Sequence, residues 1–142
     1  MRGQVVAHRV HLADQRIQGG ELGLIARLDQ LHAAVHVVLL LLGGLLTRLA
    51  RIRAAIRANQ LPQRTEAANR ALDILAYLRT ILDPTADPQL VGSLRDLYRY
   101  CEARLLEACQ ANDEDAVVEV VSLITEVKSA WDAIAPQRVA AA

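Results

Sequence analysis

The sequence predicts an all-α protein, an antiparallel up-and-down four-helix bundle preceded by an extra N-terminal segment. Composition is the first observation: the 142 residues include no Phe, one Trp and three Tyr, and they are rich in Ala, Leu and Arg, which favours helices over strands. The second observation is that apolar residues recur at spacings of three and four, as on one face of a helix. The third is that the breaks between these patterns are short, which places consecutive helices antiparallel.

The chain begins with a segment, residues 1–30, whose structure the sequence does not define. Its apolar residues follow no sustained period, and Gly19 and Gly20 interrupt them. We therefore separate this segment from a helical bundle at 31–135, and we expect a mobile tail at 136–142 because nothing after Pro136 can join the core.

The first helical pattern runs from Glu21 to Asn59. Its predicted core face is Leu31, Val35, Val38, Leu42, Leu45, Leu46, Leu49 and Ile56. Val37, Leu40 and Leu41 point elsewhere, so this helix is apolar on more than one side and needs a partner or a central position. A membrane span is the alternative, but the uncharged run from Ala33 to Leu46 is shorter than the roughly 20 residues that a bilayer requires.

A second helix follows the break at Leu61 and Pro62 and is expected to reach about Leu82. Its predicted core stripe is Ala68, Ala71, Leu72, Leu75, Leu78 and Leu82. The loop DPTADP, residues 83–88, ends this helix.

Residues 90–134 form the clearest pattern, two amphipathic helices joined by a short polar turn. Asp87 and Pro88 are suited to the cap and the first position of the third helix. The stripe of the third helix contains Leu90, Val91, Leu94, Leu97, Tyr98, Cys101, Leu105, Ala108 and Cys109, and that of the fourth contains Val117, Val120, Val121, Ile124, Val127, Trp131 and Ile134. Asn112 is the expected cap of the fourth helix.

No residue pattern indicates catalysis, a metal site or a cofactor. His32 and His36 share a helical face, and His8 and His11 could join them, but no carboxylate or Cys completes a ligand set. Cys101 and Cys109 lie roughly 12 Å apart along one helix, so they cannot form a disulfide with each other. A net charge of zero excludes a general nucleic-acid-binding protein. Arg48, Arg51, Arg53 and Arg57 are expected to be a solvated helix side.

Several apolar residues miss the core stripes and are candidates for binding a partner. They are Ile74, Tyr77 and Ile81 on the second helix and Tyr100 and Leu106 on the third. A single exposed apolar residue is ordinary, whereas a set on adjacent helices indicates an interaction surface.

Three stretches are informative together, namely LYRYCEARLLEACQANDEDAVVEVVSLITEVKSAWDAI and, upstream of it, GGLLTRLARIRAAIRANQ and ANRALDILAYLRTILD. In their order and spacing they resemble the FliS family of flagellar export chaperones, and the resemblance covers residues 35–134. It implies a cytoplasmic chaperone that binds the C-terminal helical segment of flagellin, prevents premature polymerisation and docks on the flagellar export gate. Two positions depart from the family: no tyrosine precedes Tyr77, and Leu42 and Gly43 replace the Tyr-Asp before Gly44. The alternatives are a small membrane-associated protein and a bundle that forms a homodimer.

Overall fold

Four helices make up the part of the chain described by the structure, a computed structural model that covers residues 32–83, 85 and 87–141, with side chains from Val35 to Ala133. They are α1 (His32–Arg57), α2 (Leu61–Thr80), α3 (Pro88–Ala111) and α4 (Glu114–Ala141). Each helix packs on its neighbours in the chain, and α4 also packs on α1. The predicted all-α four-helix bundle is confirmed, while the predicted N-terminal segment lies outside the described residues.

The bundle core is continuous and draws on all four helices. It contains Leu42, Leu45, Leu49, Leu75, Leu78, Leu97, Tyr98, Cys101, Leu105, Val117, Val120 and Ile124 among others. Ile52 and Leu123 also lie in the core although neither belonged to a predicted stripe. Leu41, expected to point away, is half-buried and packs against the core, because the core side of α1 is wider than a single stripe.

The turns between helices are set by two asparagines in the left-handed conformation. Asn59 follows α1 with φ of 54°, and Asn112 ends α3 with φ of 53°. Asparagine tolerates this conformation better than most residues, so each helix ends abruptly and the chain reverses. The prediction that Asn112 caps α4 is wrong: its conformation ends α3, and Asp113 accepts instead a hydrogen bond of 3.0 Å from the Asp115 amide through Oδ1.

The start of α3 confirms the predicted cap. Asp87 Oδ1 accepts hydrogen bonds from the amides of Gln89 and Leu90 at 3.1 and 3.2 Å, and Pro88 occupies the first helical position. The backbone of α4 continues past Pro136 to Ala141, and the expected mobility of residues 136–142 stays a prediction.

Candidate functional site

Exposed large hydrophobic side chains are concentrated on the outer side of the α1–α2 pair. Among the described residues these side chains and their exposed fractions are Val37 41%, Leu40 63%, Leu61 50%, Tyr77 51%, Ile81 37%, Leu106 51% and Val118 40%. Four of the seven belong to one surface, which we call the α1–α2 face: Val37 and Leu40 from α1, and Tyr77 and Ile81 from α2. Single exposed apolar residues are ordinary, but a group of this kind marks an interaction surface.

The placement of these four residues follows from the position of Gly44 beside Ile74. A β-carbon on Gly44 would lie 3.9 Å from Ile74 Cδ1, an ordinary van der Waals distance, so the two residues are neighbours across the contact between α1 and α2. Val37 precedes Gly44 by seven residues and Ile81 follows Ile74 by seven, which is about two helical turns in each case. Since α1 and α2 are antiparallel, both steps lead in the same direction and bring Val37 and Ile81 to the same level.

The apolar part of α1 on this face carries no charge. The sequence from Val35 to Thr47 contains no Asp, Glu, Lys or Arg, and the basic residues begin at Arg48. Gly43 leaves open space around its backbone, because a β-carbon there would meet nothing within 4 Å. An uncharged, partly glycine-lined helix side allows close approach by another helix.

The five candidate residues from the sequence do not form one surface. Tyr77 and Ile81 are exposed on the α1–α2 face, and the half-buried Ile74 lies beneath them, packed against the core. Leu106 is exposed one turn after Glu102, whose carboxylate pairs with Arg79 of α2, so it lies on the α2 side of α3. Tyr100 lies on the opposite side of α3, facing α4.

Tyr100 is part of a polar seam rather than an open apolar surface. Its hydroxyl donates a hydrogen bond of 2.5 Å to Glu119 Oε1, which also pairs with Arg104 at 3.1 Å. Partial burial and the adjacent carboxylate raise the pKa of Tyr100 to about 12, so it remains a neutral donor at ordinary pH. The polar end of Tyr100 is therefore already bonded within the protein, and its role as a client contact stays a prediction.

Two of the four arginines expected to be solvated are also paired. Arg53 Nε and Arg57 Nε lie 3.2 and 2.7 Å from Glu114 Oε1 at the start of α4. These contacts close the α1–α4 side, and the two arginines hold the pKa of Glu114 below its usual value.

No catalytic arrangement is present among the described residues. Burial raises the pKa of the Cys101 thiol to about 12, which leaves it protonated and unreactive. Cys101 and Cys109 are free, as expected. No group of three His, Cys, Asp or Glu side chains able to hold a metal ion exists within the described residues, and His8, His11 and His32 lie outside the described side chains.

One helix is long and apolar enough to cross a membrane, by length and composition alone. It spans Val35–Arg57, and 28% of its most apolar window is buried inside the protein. The core helix of a bundle meets the same criterion, so this is weak evidence for a membrane span.

Comparison with known proteins identifies the family. The family model described as flagellar protein FliS matches residues 30–138, which include nearly all of the four helices. The chain is 40% identical over 99 residues to the flagellar secretion chaperone FliSB of Pseudomonas aeruginosa, covering 70% of this chain and 79% of the relative. It is 32% identical over 111 residues to the flagellar secretion chaperone FliS of Vibrio cholerae serotype O1, covering 77% and 82%.

The chain belongs to the FliS family. A further relative, the flagellar secretion chaperone FliS of Salmonella typhimurium, is 29% identical over 109 residues, which cover 75% of this chain and 81% of the relative. FliS proteins are secretion chaperones, so the protein is not an enzyme. In the described part of this FliS chain, four of the seven exposed large hydrophobic side chains belong to the α1–α2 face.

Two residues of this face, Val37 and Leu40, were not among the sequence candidates. The signal that could have found them was their position off the core stripe of α1. Tyr77 and Ile81 on α2 were recognised from their position off the core stripe. Placing Val37 and Leu40 beside them also requires the register of the two helices, which the contact between Gly44 and Ile74 shows.

Proposed function

We propose that the protein is a cytoplasmic flagellar export chaperone that binds the C-terminal, helix-forming segment of flagellin and prevents premature polymerisation. The observation that carries the proposal is the α1–α2 face, where Val37, Leu40, Tyr77 and Ile81 are exposed beside an uncharged stretch of helix. Membership of the FliS family and the names of the relatives support a role in flagellar secretion.

The proposed mechanism is the binding of a helix in a groove. A flagellin segment that forms an amphipathic helix would place its apolar side on the α1–α2 face, and the open space at Gly43 leaves room for it. The apolar side of this segment, which would otherwise pair with other flagellin molecules, is covered until secretion. The segment pays an ordering cost when it folds on the chaperone, so binding depends on a few well-buried apolar contacts.

Leu106 and Tyr100 remain predicted client contacts beyond this face. Leu106 lies on the α2 side of α3, so a client that continues around α2 would reach it. Leu106→Ser tests whether the client extends this far. A short client confined to the α1–α2 face would bind this variant as tightly as the parent, whereas a client that reaches Leu106 would bind it more weakly. We also propose that the loaded chaperone docks on the flagellar export gate.

The experiment is a calorimetric titration with a peptide of the last few tens of residues of the host's flagellin. We expect Leu40→Ser combined with Ile81→Ser to weaken binding at least about tenfold, because each loses a contact worth more than about 1 kcal/mol. The matched control is Leu61→Ser combined with Val118→Ser, which removes two equally exposed apolar residues elsewhere. Both variants should keep the parent's stability within about 0.5 kcal/mol.

Three outcomes would overturn the proposal. Equal binding by the two double variants would place the client on another surface. Absence of peptide binding together with a concentration-dependent mass would favour the homodimer, in which α1 pairs with a second copy. Absence of peptide binding together with sedimentation on lipid vesicles would favour the membrane-associated alternative.

A further inference from the structure

The α1–α2 face continues into three arginines that lie beyond its apolar end. Arg48 follows Gly44 by four residues on α1, and Arg70 precedes Ile74 by four on α2. Four residues along each helix rise about 6 Å. Because the helices are antiparallel, Arg48 and Arg70 lie on the same side of the Gly44–Ile74 contact, and Leu40 and Ile81 lie on the other side of it.

The third arginine, Arg51, extends this basic end by another turn. Arg51 and Arg70 are exposed, while Arg48 is half-buried. The face therefore has two ends along one line, an apolar end at Val37, Leu40, Tyr77 and Ile81, and a basic end at Arg48, Arg51 and Arg70.

None of these three arginines has an ion-pair partner within the described part of the chain. Other arginines do: Arg53 and Arg57 pair with Glu114, Arg79 with Glu102, and Arg104 with Glu107 and Glu119. The carboxylates on these two helices are Glu66 and Asp73, four residues before and three residues after Arg70, and neither forms an ion pair within the described part of the chain. The three arginines outnumber these two carboxylates, so this end of the face stays positively charged. Like charges close together repel, so a partner with negative charge stabilises this end.

We infer that the α1–α2 face binds an amphipathic helix whose carboxyl-terminal end, bearing acidic groups, lies against Arg48, Arg51 and Arg70. The inference rests on the proposed function and adds an orientation to it. The carboxyl end of a helix is the negative end of its dipole and has unsatisfied carbonyls, and arginine guanidinium groups stabilise both. The bound helix therefore runs parallel to α1, with its amino-terminal apolar turns at Leu40 and Ile81.

Charge complementarity also selects against a peptide in the opposite direction. A reversed helix would point its positive amino-terminal end at three arginines and place its acidic groups over the uncharged part of α1. The arginines thus contribute direction and specificity, while the apolar end contributes most of the affinity.

The first test is the salt dependence of binding to the flagellin C-terminal peptide. We expect Arg51→Gln combined with Arg70→Gln to weaken binding about fivefold at roughly 50 mM salt, and less than about twofold at roughly 500 mM, where the charges are screened. The control, Arg99→Gln, removes the charge of an exposed arginine on α3 and should change binding less than about twofold at either salt concentration. Arg48 is left unchanged because it is half-buried.

The second test maps direction with peptides that carry a photo-crosslinking residue in the first or the last turn of the client helix. Crosslinks from the last turn should fall near Arg51 and Arg70, and those from the first turn near Leu40 and Ile81. The reverse assignment would overturn the inference even if the peptide binds.

The remaining outcomes separate this inference from the proposed function. If Leu40→Ser with Ile81→Ser weakens binding but the arginine variant does not, the orientation is wrong and the chaperone function stands. If the peptide does not bind at all, the proposed function fails first. If the arginine variant instead loses binding to phosphatidylglycerol vesicles while peptide affinity is unchanged, the basic end serves an anionic lipid surface and the inference is overturned.

Discussion

The α1–α2 hairpin and the α3–α4 hairpin use similar helices in different ways. In the α3–α4 hairpin, polar residues outside the core are joined across the helices, as Tyr100 and Arg104 are to Glu119, and the exposed large apolar residues are only Leu106 and Val118. In the α1–α2 hairpin, large apolar side chains such as Leu40 and Tyr77 are exposed, and the neighbouring Arg48 and Arg70 have no ion pair in the described part of the chain. We call the α3–α4 hairpin closed, because its own side chains bond to one another across the helices. We call the α1–α2 hairpin open, because it offers both an apolar surface and positive charge to a partner.

This difference shows how a small bundle can combine stability with binding. The continuous core seals the inner sides of both hairpins, so an exposed outer side on α1–α2 does not have to be covered for the protein to fold. Apolar side chains that add little to folding are therefore available for a client, and their replacement should affect binding and stability separately.

The largest expected effect compares a core leucine of the closed hairpin with an exposed leucine of the open one. Leu97 is 2% exposed, so Leu97→Ala removes buried methyl groups and leaves a cavity, at a cost of about 2 to 5 kcal/mol. Leu40→Ala should change the free energy of unfolding by less than about 0.5 kcal/mol. Denaturant unfolding measures both; a similar loss in the two variants would mean that the α1–α2 face is packed.

A smaller effect is expected at the cap that starts the closed hairpin. Asp87→Ala removes the acceptor for the amides of Gln89 and Leu90 and should lower stability by about 1 kcal/mol. Asp87→Asn keeps an acceptor oxygen and should recover most of the loss. Thermal melting of both variants checks this, and an equal loss in both would assign the effect to the negative charge instead.

The polar seam of the closed hairpin can be weakened without changing its shape. Tyr100→Phe removes only the hydroxyl that donates to Glu119, and we expect a loss of about 1 kcal/mol because the site is partly exposed. The same change at Tyr77, Tyr77→Phe, serves as the control and should have no measurable effect on unfolding. If both variants match the parent, the seam adds nothing to stability.

The smallest effect concerns the ion pairs between α1 and α4, and it depends on pH. Hydrogen bonds from Arg57 and Arg53 hold the pKa of Glu114 below its usual value, so the pair stabilises the fold above the unfolded pKa of about 4.3. This stabilisation is lost as the pH falls through the lowered folded value. Glu114→Gln should therefore melt below the parent at neutral pH, and the difference should disappear in acid; a constant difference would contradict the account.

The sequence predicted the closed hairpin better than the open one. Periodicity alone placed Leu94, Leu97 and Ile124 in the core, and local residue preferences placed Asp87 at its cap. The core stripes and the cap both depend on the spacing of residues within one segment, and a sequence shows this spacing directly. The error at Asn112 arose because asparagine suits either the end of one helix or the start of the next, and the backbone conformation decides between them.

The candidate site was predictable only in part, because it depends on how two helices lie against each other. Tyr77 and Ile81 were recognised as lying off the core stripe, but so was Tyr100, whose hydroxyl the structure bonds to Glu119. Spacing within a single helix does not show that Leu40 lies beside Ile81. It also does not show that Arg48 has no ion-pair partner in the described part of the chain. Interhelical register and pairing are tertiary properties, and the position of Gly44 beside Ile74 shows the register of α1 and α2.

The central claim, that the open α1–α2 face binds the flagellin C-terminal helix, is tested most directly by site-specific photo-crosslinking in the full chain. A photo-crosslinking amino acid replaces Leu40 in one variant and Val118 in a second, since both positions are exposed but only Leu40 belongs to the face. After irradiation with the flagellin C-terminal peptide, we expect a crosslinked product from position 40 and none from position 118. Crosslinking from position 118 alone would contradict the account.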